Sequence, residues 1–338
     1  MTRVVIGGGT GLIGRALTAA LIADGFEVDV LTRRAGNLKQ PLPGPARAVA
    51  WSPRDHGGLA ALALVLAGAD AVVNLTGVPV GPLPWTTGRR RSILESRVAP
   101  TKYLVEALAL VEPRDRPPVF VSASGIDGYM DLDGTAGTQD TDVHGTAGTQ
   151  DTDVHGTAGT EDTDLTGTTG FLADVGRAWE ASAAEAKALG TRVVMVRTAV
   201  VLARNSTLLP LLALPVRLGV GGRFGDGRQW FSWVHLDDLV AAYQLAIRDA
   251  GIAGPLIAAA PEPCRQRDLV ATMARILRRP NWLPIPGWVL RLVLREEATL
   301  LLGSRRVVPA RLLDAGFAFR YPDLDAALRE ALARPSTM

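Results

Sequence analysis

Residues 4–14 read VVIGGGTGLIG. An apolar run breaks into glycines and then resumes as a helix-like pattern over Leu12–Ala23. Gly8, Gly11 and Gly14 are spaced G-x-x-G-x-x-G between a predicted strand and a predicted helix. No other feature narrows the possible folds as far. A turn without Cβ atoms lets the backbone approach a pyrophosphate, and the helix N-terminus offers that anion unpaired N–H groups and a partial positive charge. Gly14 lets the helix pack closely on the sheet. The expected cofactor contacts in this stretch are Gly8, Thr10, Gly11, Leu12, Ile13 and Gly14.

The rest of the first half repeats the strand–helix alternation. Strands are predicted at Val4–Ile6, Glu27–Leu31, Ala48–Trp51, Ala71–Leu75 and Val119–Ser122, and helices at Leu12–Ala23, Leu59–Ala67 and Arg89–Leu110. A helix near Phe171–Leu189 and a strand at Arg192–Arg197 continue the pattern. Continuous apolar strands alternating with helices imply a parallel sheet covered on both faces. The expected class is α/β, a Rossmann-type doubly wound parallel sheet with a smaller C-terminal substrate lobe. The sheet domain is expected over 1–200 and the lobe over 201–338.

The second strand ends at Leu31-Thr32-Arg33-Arg34. A site that prefers NAD usually puts Asp or Glu there, on the ribose hydroxyls. A 2′-phosphate needs cations, and arginine offers it a planar fork. Arg33 and Arg34 therefore point to NADP, unless both are solvated loop residues. Asn74-Leu75-Thr76-Gly77 closes the fourth strand, where the chain passes beside the cofactor ribose.

An 11-residue repeat interrupts the alternation. Gly134–His144 reads GTAGTQDTDVH, Gly145–His155 repeats it letter for letter, and Gly156–Thr166 repeats it with drift. A solenoid needs an apolar face to stack, and this composition supplies almost none. The 134–166 segment reads as a duplicated, dispensable surface loop. Its Asp-x-Asp pairs and histidines match no metal-ligand spacing, so no metal site is expected.

The formal net charge is +2, which gives no reason to expect a nucleic-acid partner. The single cysteine, Cys264, excludes an internal disulfide and suits a reducing cytoplasm. The most apolar stretches, Leu208–Leu218 and Trp282–Leu294, are too short to span a bilayer and are interrupted by proline and arginine. They read as buried helices of a soluble protein, or as a membrane-surface contact through Trp282 and Trp288.

The start GGGTGLIG, the NLTG at 74–77 and the run Ser96–Leu108 resemble the extended short-chain dehydrogenase/reductases. Within them the chain is similar to an atypical epimerase-like subgroup. Its marks are Arg-x-Trp-Glu at Arg177–Glu180, the segment Gly227–His235 with Asp237-Asp238, and a tail resembling a C-terminal domain of unknown function over 282–333. The resemblance implies an NADP-bound sheet domain and a substrate lobe. It places Ser122 and Ser124 after the fifth strand, where the family's catalytic Ser or Thr lies, with Ser122 on the cofactor side. Ser124 would donate to a substrate oxygen.

Ordinary members carry Tyr-x-x-x-Lys on the next helix, the Tyr as general acid/base and the Lys lowering its pKa. Here the residues four after each tyrosine are Ala107, Asp133, Ile247 and Asp325, and the expected helix offers Leu172 and Gly176. Substitute proton donors are Tyr129, beside the fifth strand, and His235, which titrates near neutrality or else caps the helix that follows. Arg197, Arg228 and Gln229 are the expected substrate contacts. Two functions stay open: an atypical NADP(H)-dependent oxidoreductase or epimerase acting on an unknown small molecule, or an NADP(H)-binding sensor without turnover. The sequence also leaves a homodimer open.

Overall fold

The computed structural model describes residues 2–53, 58–81, 84–129, 158–161, 163, 165, 168–206 and 208–333. The first two repeat copies, 134–155, lie outside the described residues.

Among the described residues the chain forms β1 (Arg3–Gly7), α1 (Leu12–Ala23), β2 (Glu27–Thr32), β3 (Arg47–Ala50), α2 (Leu59–Leu66), β4 (Ala71–Asn74), α3 (Thr87–Leu110), β5 (Val119–Gly125), α4 (Phe171–Ala184) and β6 (Arg192–Thr198). The remaining elements are β7 (Val200–Leu202), α5 (Leu208–Arg217), β8 (Trp230–Phe231), β9 (Trp233–His235), α6 (Leu236–Arg248), β10 (Gly254–Ala258), β11 (Cys264–Arg265), α7 (Gln266–Leu277), α8 (Gly287–Leu294), α9 (Thr299–Leu302), α10 (Ala310–Asp314) and α11 (Leu324–Leu332).

Seven strands pair in parallel in the order β10-β6-β5-β4-β1-β2-β3. Their apolar runs are buried on both faces. Val4 and Ile6 join one core, with α1 and α6, and Val5 joins the other, with α2 and α3. Chain direction across the sheet reverses between β1 and β4. The helices leaving those strands go to opposite faces, which opens a crevice at their carboxyl ends. The glycine loop ends one of these strands and Asn74 the other.

After an excursion through α5, β8 and β9 the chain returns to the sheet: α6 packs against α1, and β10 pairs with β6 from Gly254↔Val194 to Ala258↔Thr198. The outer lobe is a third core built chiefly by α5, α7 and α11.

The third repeat copy departs from the surface-loop expectation. Gly159 donates to the Arg306 carbonyl at 2.9 Å, and Val308 donates back to Gly159 at 3.0 Å. Glu161 is buried and accepts from the Ile257 backbone N–H at 2.9 Å. Backbone pairing with the C-terminal segment, together with a side-chain bond to the edge strand, seats this copy in the fold.

Candidate active site

The glycine loop is shaped by what cannot be there. Gly8 has φ +81°, and a Cβ on it would lie 2.6 Å from the Leu75 carbonyl. A Cβ on Gly14 would lie 2.4 Å from the Gly8 oxygen. The loop is thereby pressed onto the end of β4 and the start of α1. Gly11 precedes α1 without a side-chain cap, and the first turn of α1 carries no acidic residue. The amides of Leu12, Ile13 and Gly14 thus stay available to an anion, with Thr10 exposed on the lip. This cradle fits a dinucleotide pyrophosphate.

Beside it, Leu75 donates from its backbone to Gly7 at 2.8 Å. Asn74 is fully buried; its amide donates to Thr101 Oγ1 at 2.7 Å, and its Oδ1 accepts from the Thr76 hydroxyl at 2.6 Å. These bonds fix the 74–77 turn facing the loop. Gly77 sits close under Arg97: a Cβ there would lie 3.3 Å from the guanidinium carbon. Burial pushes the Arg97 pKa down to about 10. Arg33 and Arg34 stand exposed just past β2, and neither side chain has an ion pair or hydrogen bond among the described residues.

At the carboxyl ends of β5 and β6 lies a cavity of about 270 Å³. Its lining comes from the end of β5, from α4, from Arg197 on β6 and from Thr163 and Leu165 of the third repeat copy. The missing Tyr-x-x-x-Lys explains its shape. Leu172 turns into a small buried cluster, and Gly176 leaves open space in the wall. One turn beyond Gly176, Glu180 faces the cavity.

Glu180 is the residue the sequence reading passed over, although it ends the Arg-x-Trp-Glu mark. Ser124 Oγ donates to Glu180 Oε1 at 2.7 Å. Arg197 grips both carboxylate oxygens, Nε to Oε1 and Nη2 to Oε2, each at 2.8 Å. Burial works against the Arg197 charge, but Glu180 and Tyr129 outweigh it and raise the Arg197 pKa. Trp179 locks the helix from behind, donating to Thr101 Oγ1 at 3.1 Å. The i+4 spacing from the glycine in the vacated Lys position was the available signal.

Several expected site residues stand outside the cavity lining. Tyr129 is in the network but is not a cavity wall. Its hydroxyl accepts from Arg197 Nη1 at 2.6 Å and donates to the Thr160 carbonyl at 3.0 Å. Burial raises its pKa against the opposing pull of Arg197, so it is a poor proton donor near neutrality. His235 is 2% exposed and caps α6, accepting from the Asp237 N–H at 3.2 Å; Nε2 meets Glu330 at 3.0 Å. Both ring nitrogens are engaged away from the cavity. Gln229 is buried and donates to the Phe224 and Leu301 carbonyls, while Arg228 is exposed. Neither lines the cavity, whose lining residues all precede 200; of the expected substrate contacts only Arg197 is there. Ser122 is buried in the middle of β5 and donates to the Ala123 carbonyl at 3.3 Å. Among the described residues no cluster of His, Cys, Asp and Glu is arranged to hold a metal.

The sheet order and the glycine cradle define a Rossmann-type α/β protein with a crevice at the switch point between β1 and β4. The chain belongs to the NAD dependent epimerase/dehydratase family. That family's profile matches residues 4–147, and a domain of unknown function, DUF1731, matches 285–331. The epimerase family protein SDR39U1 of Mus musculus is 32% identical over 341 residues, covering 98% of this chain and 100% of that protein. The epimerase family protein YfhF of Bacillus subtilis is 31% identical, covering 99% of each. A crystal structure of human epimerase family protein SDR39U1 (isoform2) with NADPH superposes with a TM-score of 0.77. It is 30% identical, covering 98% of this chain and 99% of that one.

Proposed function

We propose that this epimerase-family protein binds NADP(H) and acts as an oxidoreductase or epimerase-like enzyme on a small molecule seated over Ser124 and Glu180. The observation that carries the reading is the Ser124–Glu180–Arg197 network, in which Glu180 and Arg197 line a cavity and Ser124 is bonded to Glu180 just behind them. Cofactor choice is supported by Arg33 and Arg34, positioned for a 2′-phosphate, and by the NADPH in the human relative.

Bound NADP(H) supplies or accepts a hydride. The chain's own residues manage the proton. A substrate hydroxyl resting on Ser124 Oγ passes its proton to that oxygen as the Ser124 proton moves to Glu180, and a forming alkoxide is served by the reverse path. Arg197 holds the carboxylate in line. Tyr129 holds Arg197 in turn. About 270 Å³ suits a small carbonyl or hydroxyl compound.

A second reading, an NADP(H)-binding sensor without turnover, draws on Leu172 and Gly176 standing where the usual acid/base pair would be. One experiment separates the two. Purified protein carrying NADPH is mixed with a panel of small aldehydes and ketones, and cofactor fluorescence is followed through a single turnover. Oxidation that is lost in Ser124→Ala supports the enzyme; unchanged fluorescence across the panel supports the sensor. Gly14→Ala should abolish NADPH binding in either case, and its retention would overturn both.

A further inference from the structure

The two most apolar stretches of the sequence read as buried helices or as a membrane-surface contact; about half of the first is exposed, and the second contains no buried residue. α5 buries Leu209, Leu212, Ala213 and Val216 but turns Leu211 and Leu214 outward, and Leu218, just past its end, is exposed too. The chain then runs tightly beside 281–285. Ile285 donates to the Arg223 carbonyl at 2.9 Å, and Gly225 donates to the Ile285 carbonyl at 2.9 Å. A Cβ on Gly222 would lie 2.0 Å from the Leu283 oxygen, so the two strands of this ridge admit nothing between them. α8 follows with no buried residue. Leu290 leans on the third core, while Trp288, Leu292 and Val293 point away. Trp282 is 68% exposed and Leu292 73%. Backbone pairing of 221–225 with 281–285 thus brings the two apolar stretches side by side, each with exposed apolar side chains.

The same two segments, 208–225 and 276–295, contain no Asp or Glu and six arginines. These are Arg217, Arg223, Arg278, Arg279, Arg291 and Arg295. All six are exposed, and none has an ion pair or side-chain hydrogen bond among the described residues. A chain of net charge +2 thus concentrates six unpaired cations around its largest exposed apolar side chains.

We propose that this face docks on an anionic lipid bilayer. Leucine and valine side chains enter the boundary between headgroups and acyl chains, tryptophans settle at the interface, and arginines meet lipid phosphates. No helix among the described residues is long and apolar enough to cross a membrane, so the contact is with one leaflet. A second copy of the chain is disfavoured as the occupant, because it would set six unpaired cations against six more. Nucleic acid would satisfy the arginines but leave Leu211, Leu292 and Val293 without an apolar partner.

The test is flotation of the full chain with two kinds of vesicle, phosphatidylcholine alone and phosphatidylcholine with a one-third share of phosphatidylserine. Binding to the anionic vesicles is expected to be roughly fivefold stronger or more, and to weaken with salt. Trp288→Ser with Leu292→Ser should remove it, and Arg278→Gln with Arg279→Gln should remove the preference for phosphatidylserine. All four positions are exposed, so melting temperatures should not move. Equal binding to the two vesicles, or binding that survives both double variants, would overturn the proposal. So would self-association by light scattering that the first double variant abolishes while no vesicle is bound; that result would assign the face to a second copy.

Discussion

Ser124 and Glu180 are 56 residues apart in sequence and are joined by a hydrogen bond of 2.7 Å. The bond needs both the β5 end and the third turn of α4 in place. Its partner Arg197 comes from a third element. Replacing either end should therefore separate chemistry from cofactor binding. Ser124→Ala and Glu180→Gln are each expected to slow single-turnover NADPH oxidation about 10²–10⁴-fold, the usual contribution of a positioned acid or base. NADPH affinity should stay within about twofold, since neither side chain belongs to the glycine cradle. His235→Gln should lower stability and leave the rate alone, because His235 caps α6 away from the cavity. A full rate in both site variants would remove the proton path from this network.

Arg33 and Arg34 carry the second prediction. Both are exposed at the end of β2 with no side-chain partner among the described residues. Purified protein should bind NADPH more tightly than NADH, and Arg33→Ala should erase most of the difference. A charge-assisted contact to phosphate is worth about 1.5–3 kcal/mol, roughly 10- to 150-fold in affinity. Titration of both cofactors by fluorescence reads it directly. Equal affinities in the unmutated chain would leave the two arginines with no role in cofactor choice.

The elements of the first half were legible because each signal is local. β1 to β6 are short apolar runs, α1 to α4 begin and end close to their expected residues, and the glycine spacing fixed the turn between β1 and α1. What failed to show in the sequence depends on distant partners. β10 begins Gly-Pro and joins the sheet only through β6, some 60 residues earlier. Glu180 was visible as part of a motif, but its meaning comes from Ser124 and Arg197. Tyr129 stands near the site, yet only the structure shows its hydroxyl already taken by Arg197 and Thr160. In α8, hydropathy alone did not tell inside from outside.

Asp29 tests the sheet itself. It sits on β2 between β1 and β3 and accepts from Arg3 Nη1 at 3.0 Å and from Arg47 Nε and Nη2 at 2.7 Å each. Burial pushes its carboxyl upward, but the Arg47 and Arg3 hydrogen bonds outweigh that and hold the pKa below the ordinary 3.8. A carboxylate with a depressed folded-state pKa stabilises fully above its unfolded value. That contribution drains away as pH falls through the folded value. Asp29→Asn should therefore cost about 1–3 kcal/mol near pH 7, with the low end favoured because Arg47 is largely exposed. The difference from the unmutated chain should shrink below about pH 3.8. Urea unfolding at both conditions measures it, and a difference independent of pH would assign the cost to packing.

The repeat yields the last prediction, because its three copies are not equivalent. Where the first two carry Gln139 and Gln150, the third carries Glu161. Glu161 reaches β10, Gly159 pairs with the C-terminal segment, Thr160 accepts from Tyr129, and Thr163 and Leu165 wall the cavity. Removing 134–155 leaves all of these in place. Long surface insertions differ by only about 0.6 kcal/mol of closure entropy per doubling of length. That deletion should leave the melting temperature and NADPH affinity nearly unchanged. Removing 156–166 instead strips the wall and unpairs the Ile257 N–H, so the melting temperature should fall and any turnover should fail. Glu161→Ala isolates the anchor and should cost about 1–3 kcal/mol, the penalty for a buried donor left without an acceptor. Glu161→Gln keeps an acceptor oxygen there and should recover most of the loss. Thermal melts of the two deletions and the two point variants decide the matter. If both deletions shift the melt equally, the copies act as one unit and the anchoring role of the third is wrong.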